Sequence, residues 1–270
     1  MNKIAVALSI YKSDTVEYLN QSILSIINQT YGNFDLYIKV DGEVPSDICD
    51  FLDNLKYDNV FVDYDNENKG LAFRLNQIID IVVEKGCYQF LARMDADDIS
   101  DLNRFEEQVD FLLKNSNVDV IGSDVIEIDE NGTEVFYKKM DTDFDIIKNK
   151  IIKKCPFNHP SVMFRVDIFN EGERYNQELM NTQDYYLWVD LLSKGKVFSN
   201  INKPLLKFRV NNSFHSRRGF KKAVNDVKSR FYAFKKLDVI NLTNIIHVIN
   251  LFILRISPPK VKKIAYKYFR

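Results

Sequence analysis

Cysteine is scarce in this chain, and what there is forms no pattern. Cys49, Cys87 and Cys155 are odd in number and widely spaced, so they make no disulfide framework and have no metal-site spacing. Reduced thiols in a reducing cytoplasm are the expectation. A long hydrophobic run is missing too. Ile245–Leu254 is the longest apolar-leaning stretch and falls well short of the roughly 20 residues that cross a bilayer. No charged segment followed by an apolar core opens the chain, so no secretory signal is expected. There is no internal repeat, low-complexity linker or recognised nucleic-acid motif, and a nucleic-acid partner is not expected. Glycine is absent from Ser9–Ser13, where a sugar-nucleotidyltransferase would want a glycine-rich phosphate loop.

Acid is missing from one end. Residues 217–270 hold 14 Lys or Arg against only Asp226 and Asp238, a net of +12. The other 216 residues hold 23 basic and 36 acidic side chains, a net of −13. The boundary divides residues 1–216 from a basic extension, 217–270. A composition of 46% apolar and 28% charged residues over 270 positions is that of a globular protein with a full core.

The first hundred residues read β-α-β-α-β-α-β. Ile4–Ile10 is a continuous apolar run, the pattern of a strand covered on both faces. Asp14-x-x-Glu17 has the form of a capping box before a helix carrying Val16, Leu19, Ile23 and Ile26. Strands are expected at 34–40, 60–64 and 89–94, with helices near 46–55 and after Gly70. Such a pattern predicts an α/β fold with a parallel sheet, and ligands bind beyond the carboxyl ends of its strands. Residues 12–14, 41–43, 65–70 and 95–98 converge there. Residues 101–216 are less regular: a helix carrying Leu102, Phe105, Val109, Leu112 and Leu113, a strand at 118–128, and a hairpin turn at Asn131-Gly132. A short strand at 161–164, a helix from Tyr185 to Gly195 and a returning strand at 205–210 complete it.

Asp95-Ala96-Asp97-Asp98 follows an apolar strand, where carboxylates repel one another and resist desolvation. Hard divalent ions take oxygen ligands and commonly bridge carboxylates to phosphates, so Mg2+ or Mn2+ is the expected compensation. A solvated turn capping the next helix through Asp98 or Ser100 is the plainer alternative.

Several ordered segments resemble the family 2 glycosyltransferases with the GT-A fold, especially the bacterial enzymes of O-antigen, capsule and lipooligosaccharide assembly. Ala7–Lys12 is similar to the family's first strand and nucleotide loop, and Ser22–Tyr31 to its "S-I-x-x-Q-T" helix end. Asn68–Asn76 resembles its "N-x-G-L-A-x-x-L-N" segment, and Ala92–Asp98 its metal motif. His159–Phe164 is similar to its acceptor-side strand, and Gln183–Trp188 to its "E-D-Y-x-L-W". The similarity runs from Ile4 to about Ser213 and implies a GT-A catalytic domain, with residues 1–100 as its nucleotide-binding half and 101–216 as its acceptor half.

The resemblance implies roles residue by residue. Asp184 would be the general base of an inverting transfer, taking the acceptor hydroxyl's proton. Ile10, Tyr11, Asp41, Asn76, Arg93, Asp95 and Ala96 would contact the nucleotide-sugar, with Asp41 accepting from the uracil N–H. Asp95 and Asp97 would hold the metal, with His215 a further candidate. His159, Gln183, Trp188, Arg217 and Arg218 would lie on the acceptor and diphosphate side. Two departures stand out: Asp41-Gly42 replaces the family's paired acids, and Gln183 replaces the acid before Asp184. His247, inside an apolar helix, reads as packing.

The expected activity is transfer of a hexose or N-acetylhexosamine from a UDP-sugar to a lipid-linked or growing surface glycan, with Mn2+ or Mg2+. A non-catalytic nucleotide- or glycan-binding subunit and a sugar-nucleotidyltransferase are the competing readings. For the extension, basic and apolar interleaving suits a helix in an anionic membrane interface, implying a cytoplasmic protein peripheral to the inner membrane face. Packing on the catalytic domain, or on a second subunit of a homodimer, is the alternative.

Overall fold

A computed structural model describes residues 2–179, 181–210 and 220–258. Strands β1 (Ile4–Ile10), β2 (Phe34–Asp41), β3 (Val60–Asp65) and β4 (Phe90–Met94) pair in parallel in the order β3-β2-β1-β4. The intervening helices are α1 (Val16–Ile27), α2 (Ser46–Asp53) and α3 (Leu71–Lys85). The chain first builds outward from β1 on one side and then crosses back to add β4 on the other. That reversal makes a crevice at the carboxyl ends of β1 and β4.

The run in β1 is buried on both faces, and its residue sizes decide what packs where. Ala5 and Ala7 lie in the core cluster that includes Leu75, Ile78 and Ile79 of α3. Ile4, Val6, Leu8 and Ile10 lie in the opposite cluster with Leu19, Ile23 and Ile26 of α1. Apolar and polar residues alternate along β2, yet all eight are buried. Its polar members are paired instead: Lys39 with Asp63, and Asp35 with Lys3 at 2.7 Å.

Beyond β4 the sheet turns mixed. The further elements are β5 (Ile99–Ser100), α4 (Arg104–Lys114), β6 (Val120–Ile128), β7 (Glu134–Lys138), α5 (Phe144–Lys150), β8 (Met163–Arg165), α6 (Asp167–Asn170), α7 (Gln183–Ser193) and β9 (Phe198–Arg209). β8 pairs antiparallel with β4 and β6, β9 runs parallel to β6, and β5 closes that edge. β6 and β7 form the hairpin expected at Asn131-Gly132. Gly122 lies where β6 meets Phe157 and Asn200, and a Cβ there would come within 2.3 Å of Asn200 Oδ1 and 2.7 Å of Phe157 Cδ1. Only glycine fits.

Two local expectations are corrected. The α1 N-cap is Thr15, whose hydroxyl accepts from the Tyr18 N–H, so Asp14-x-x-Glu17 is not a capping box. Leu102 precedes α4 and is exposed, because the helix starts only at Arg104.

In the basic extension, α8 (Phe220–Leu237) and α9 (Leu242–Ile256) form a helical hairpin against α7. Arg230 donates to the Ile152 carbonyl at 2.8 Å and stacks 3.9 Å from the Tyr185 ring centre. Tyr232 donates to Asp190 at 2.5 Å and packs 4.7 Å from Tyr186, and Lys236 pairs with Asp190 at 3.3 Å.

Candidate active site

The crevice is walled by the turn after β1. The Asp14 carboxylate accepts from the Tyr11 N–H at 2.7 Å while the Asp14 N–H donates to the Tyr11 carbonyl at 2.9 Å. This closes residues 11–14 on themselves and turns Asp14 toward the end of β4. Burial pushes Asp14 up to about 6, the Tyr11 N–H opposes the rise, and the charge of Asp95 adds to it. Ile10 is fully buried, so only its backbone is available to a ligand, whereas Tyr11 is exposed at the mouth.

At the end of β4, Asp95 is ion-paired to Arg93, and its carbonyl accepts from Ser22 of α1 at 2.9 Å. Arg93 is buried with its Nε unpaired, and Ala96 is buried between the acids. Asp97 is pushed up to about 7, first by burial, then by Asp95 and Asp14, with Arg209 opposing. Asp98 is wholly buried and driven well above the carboxylate range by burial and its two acidic neighbours. One of its oxygens accepts the Arg209 N–H at 2.8 Å and the other is buried without a partner. Asp98 therefore holds the turn, and Asp95 and Asp97 face the crevice with Asp14.

Two arginines that sequence reasoning passed over keep this cluster in place. Arg209, at the end of β9, donates to the carbonyls of Asp97 at 2.9 Å, Asp129 at 3.1 Å and Glu130 at 3.2 Å. It also reaches Gln21 at 2.8 Å and lies 4.0 Å from the Tyr18 ring centre. Arg104 lies fully buried beneath the acids, donating to the Arg93 carbonyl at 2.8 Å. Burial lowers it to about 9, with Asp98 pulling the other way, so it stays cationic at neutral pH.

At the end of β2, Asp41 is buried and already engaged. It accepts from the Lys69 N–H at 2.8 Å, the Gly70 N–H at 2.9 Å and Arg74 Nε at 2.7 Å. Gly70 holds φ at 87°, which lets the loop bend back onto the carboxylate. Of about four acceptor positions on Asp41, one is left.

Residues after β6 supply the opposite wall. His159 Nε2 lies 2.8 Å from the Tyr175 hydroxyl. Burial, with the Arg93 charge added, lowers His159 well below the histidine range and keeps its ring neutral. Tyr175 is itself buried; burial raises its phenol, Arg93 opposes the rise, and Asp184 and Asp95 add to it. A single hydroxyl thus feels both acids, although Asp95 and Asp184 lie far apart in sequence. Gln183 and Asp184 form the first turn of α7, immediately after Thr182 at φ 63°, a left-handed conformation that a β-branched residue adopts at a cost. Asp184 also lies within reach of the Cys155 thiol, which burial pushes up to about 12.

Two expected contact residues sit elsewhere. Asn76 is buried behind the site, its amide bound at both ends to the Tyr175 backbone at 2.8 and 2.9 Å. It positions Tyr175 and is spent in doing so. Trp188 is wholly buried against Phe157, Phe164 and Phe198, with only its neighbour His159 toward the crevice. Its place as the sixth residue of α7, one turn beyond Asp184 and facing inward, makes it core. His215, Arg217 and Arg218 lie outside the described residues.

Among the described residues no three His, Cys, Asp or Glu side chains form a complete metal cage. Asp95 and Asp97 nevertheless fit a divalent cation. Their donors are hard oxygens, burial and the neighbouring Asp95 and Asp14 disfavour the charge on Asp97 so that a cation there would be stabilising, and the remaining ligands would come from a diphosphate.

Similarity to known proteins agrees with this geometry. The pattern of Glycosyl transferase family 2 matches residues 6–172. The Escherichia coli UDP-Gal:alpha-D-GlcNAc-diphosphoundecaprenol beta-1,3-galactosyltransferase is 29% identical over 273 residues, spanning 98% of this chain and 95% of that protein. The S. aureus TarS 1-349 structure in complex with UDP-GlcNAc has a TM-score of 0.62 at 14% identity, covering 97% of this chain and 83% of that one. The mannosyltransferase PcManGT from Pyrobaculum calidifontis, in complex with GDP-Man and Mn2+, has a TM-score of 0.60 at 11% identity, covering 98% and 75%. With a curled mixed sheet, an acidic strand end and a family pattern over more than half its length, the chain belongs to glycosyl transferase family 2 and is a glycosyltransferase of the GT-A fold.

Proposed function

We propose that the protein transfers a hexose or N-acetylhexosamine from a UDP-sugar to a hydroxyl of a lipid-linked glycan, with inversion, in one displacement. The observation that carries this reading is the Asp95–Asp98 turn at the carboxyl end of β4, held by Arg93 and Arg209, in a chain of glycosyl transferase family 2. Tyr175, hydrogen-bonded to His159 and reached by the charges of both Asp95 and Asp184, supports a common pocket for donor and base. The E. coli relative's name specifies a UDP-linked donor and a diphosphoundecaprenol-linked acceptor, which supports the same classes here.

Asp184 takes the proton from the acceptor hydroxyl as that oxygen bonds to the anomeric carbon. The bond from that carbon to the diphosphate oxygen breaks, and the electron pair leaves with UDP. A Mg2+ or Mn2+ ion held by Asp95 and Asp97 supplies, when bound, positive charge for the departing diphosphate. Arg93 orients Asp95, Arg209 fixes the turn that carries Asp97, and the remaining acceptor position of Asp41 takes the uracil N–H. Neutral His159, hydrogen-bonded to Tyr175, lines the acceptor side.

The test is incubation of purified protein with UDP-sugars, Mn2+ and a lipid-linked GlcNAc acceptor, with the anomeric configuration of the product read by NMR. A product inverted relative to the donor supports the reading. A retained configuration overturns the single displacement. Tight UDP binding without transfer to any acceptor supports a non-catalytic binding subunit instead.

A further inference from the structure

The outer face of α9 carries a continuous apolar stripe. Leu242, Ile245, Ile246, Ile249, Ile253 and Ile256 recur at helical spacing and are 40–73% exposed. The inner face is already satisfied, with Asn244 and Val248 buried against the rest of the molecule. Phe231 of α8 and Ile240 of the connection are likewise exposed, each at 62%. A packed catalytic domain gains nothing from so many isoleucines in water, and patches of this kind mark interaction surfaces.

Charge decides what covers the stripe. Residues 217–270 contain only two acids. Asp226 is buried and ion-paired to Arg255 at 2.7 Å, which leaves Asp238 as the one acid not taken inward. Lys228 and Lys235 are exposed on α8, and Lys260, Lys262, Lys263, Lys267 and Arg270 follow α9 in the sequence. Self-association through this face would set two segments of net +12 against each other. An anionic lipid surface offers the complementary sign and an apolar interior in one partner. No described helix is long and apolar enough to cross a membrane.

We infer that the α8–α9 hairpin is a membrane-docking element, with α9 lying in the interface of an anionic bilayer, stripe downward. The hairpin is also tied by side-chain contacts to α7, which carries Asp184. Tyr232 and Lys236 hold Asp190 of α7, and Arg230 stacks on Tyr185, one residue after Asp184. Docking therefore fixes the orientation of α7, and with it the candidate base, relative to the lipid surface. This last point rests on the proposed role of Asp184 and the lipid-linked acceptor; the docking itself does not.

The experiment is vesicle co-sedimentation of the full chain, without donor or acceptor. Phosphatidylglycerol-rich vesicles are compared with pure phosphatidylcholine, for wild type and for Ile249→Glu combined with Ile253→Glu. Wild type should bind the anionic vesicles, release as salt rises, and lose at least roughly tenfold in partition on substitution. UDP binding and the melting temperature of the variant should match wild type, since both side chains face outward. Wild type remaining in the supernatant with anionic vesicles, or vesicle binding that survives the double substitution, overturns the inference. So does a concentration-dependent dimer in solution that the substitutions dissolve, which would assign the stripe to a second copy. Vesicle binding with no UDP binding would sink the proposed function and leave docking standing.

Discussion

Replacing Asp97 with asparagine should stabilise the protein while abolishing its activity. Asp97 rises from 3.8 to about 7, chiefly through burial and then through Asp95 and Asp14. At about 1.4 kcal/mol per unit, its ionised form costs the folded chain about 4 kcal/mol above pH 7. The sign follows from the raised value. This carboxyl favours folding most below 3.8, and that contribution fades as pH climbs through 7. An amide keeps the shape and carries no charge, so in chelator near pH 8 the variant should gain about 2 to 4 kcal/mol. Near pH 5 the wild-type group is already protonated in the folded state, and the gain should shrink by about 3 kcal/mol. At roughly 2–4 °C per kcal/mol, the difference amounts to about 6–12 °C in melting temperature between the two conditions. The assay is thermal unfolding of both proteins in EDTA at the two pH values. An unchanged or lower melting temperature near pH 8, or an equal gain near pH 5, would refute the picture of an acidic cluster under strain.

Three further outcomes follow from the same geometry. The affinity for Mn2+ with UDP should rise roughly tenfold per pH unit between about pH 5 and 7, because the cation displaces the Asp97 proton, and calorimetry in buffers of different ionisation heat should register its release. Asn76→Ala leaves a buried N–H and a buried carbonyl of Tyr175 without partners, and should cost about 2–4 kcal/mol in urea unfolding. Gly122→Ala should cost about 1–3 kcal/mol, as its methyl meets the Asn200 amide and the Phe157 ring, with UDP affinity unchanged.

How much of this was legible in the sequence depends on the range over which each residue acts. The first four strands and three helices follow from apolar runs and helical spacing, since both are local and the core demands both. The acidic cluster was legible because three carboxylates after an apolar strand are a local anomaly. Asp14 was misread as part of a cap, because an Asp three residues before Glu looks the same whether it faces a helix or a crevice. Tyr175 and Arg209 left no local signal at all: their partners lie across the sheet, and an aromatic in a loop or a basic residue ending a strand is ordinary by itself. Trp188 erred the other way. It stands beside functional residues in sequence, but on a helix the fourth residue after Asp184 can lie on the core side, and the surrounding phenylalanines take it. Gly42 and Gln183 depart from the family pattern, and the fold explains one of them: Gly42 holds φ at 83°, and a Cβ there would come within 3.1 Å of Asn68, so a second acid after Asp41 would be strained.

The central claim is that one pocket holds donor and base, and that the base is Asp184. Sugar transfer from a UDP-sugar to a lipid-linked GlcNAc acceptor, measured for wild type and Asp184→Asn alongside UDP affinity, tests it most directly. The account predicts a loss in turnover of about 100- to 10,000-fold with UDP affinity held within about twofold. Transfer at the wild-type rate by the asparagine variant would contradict it.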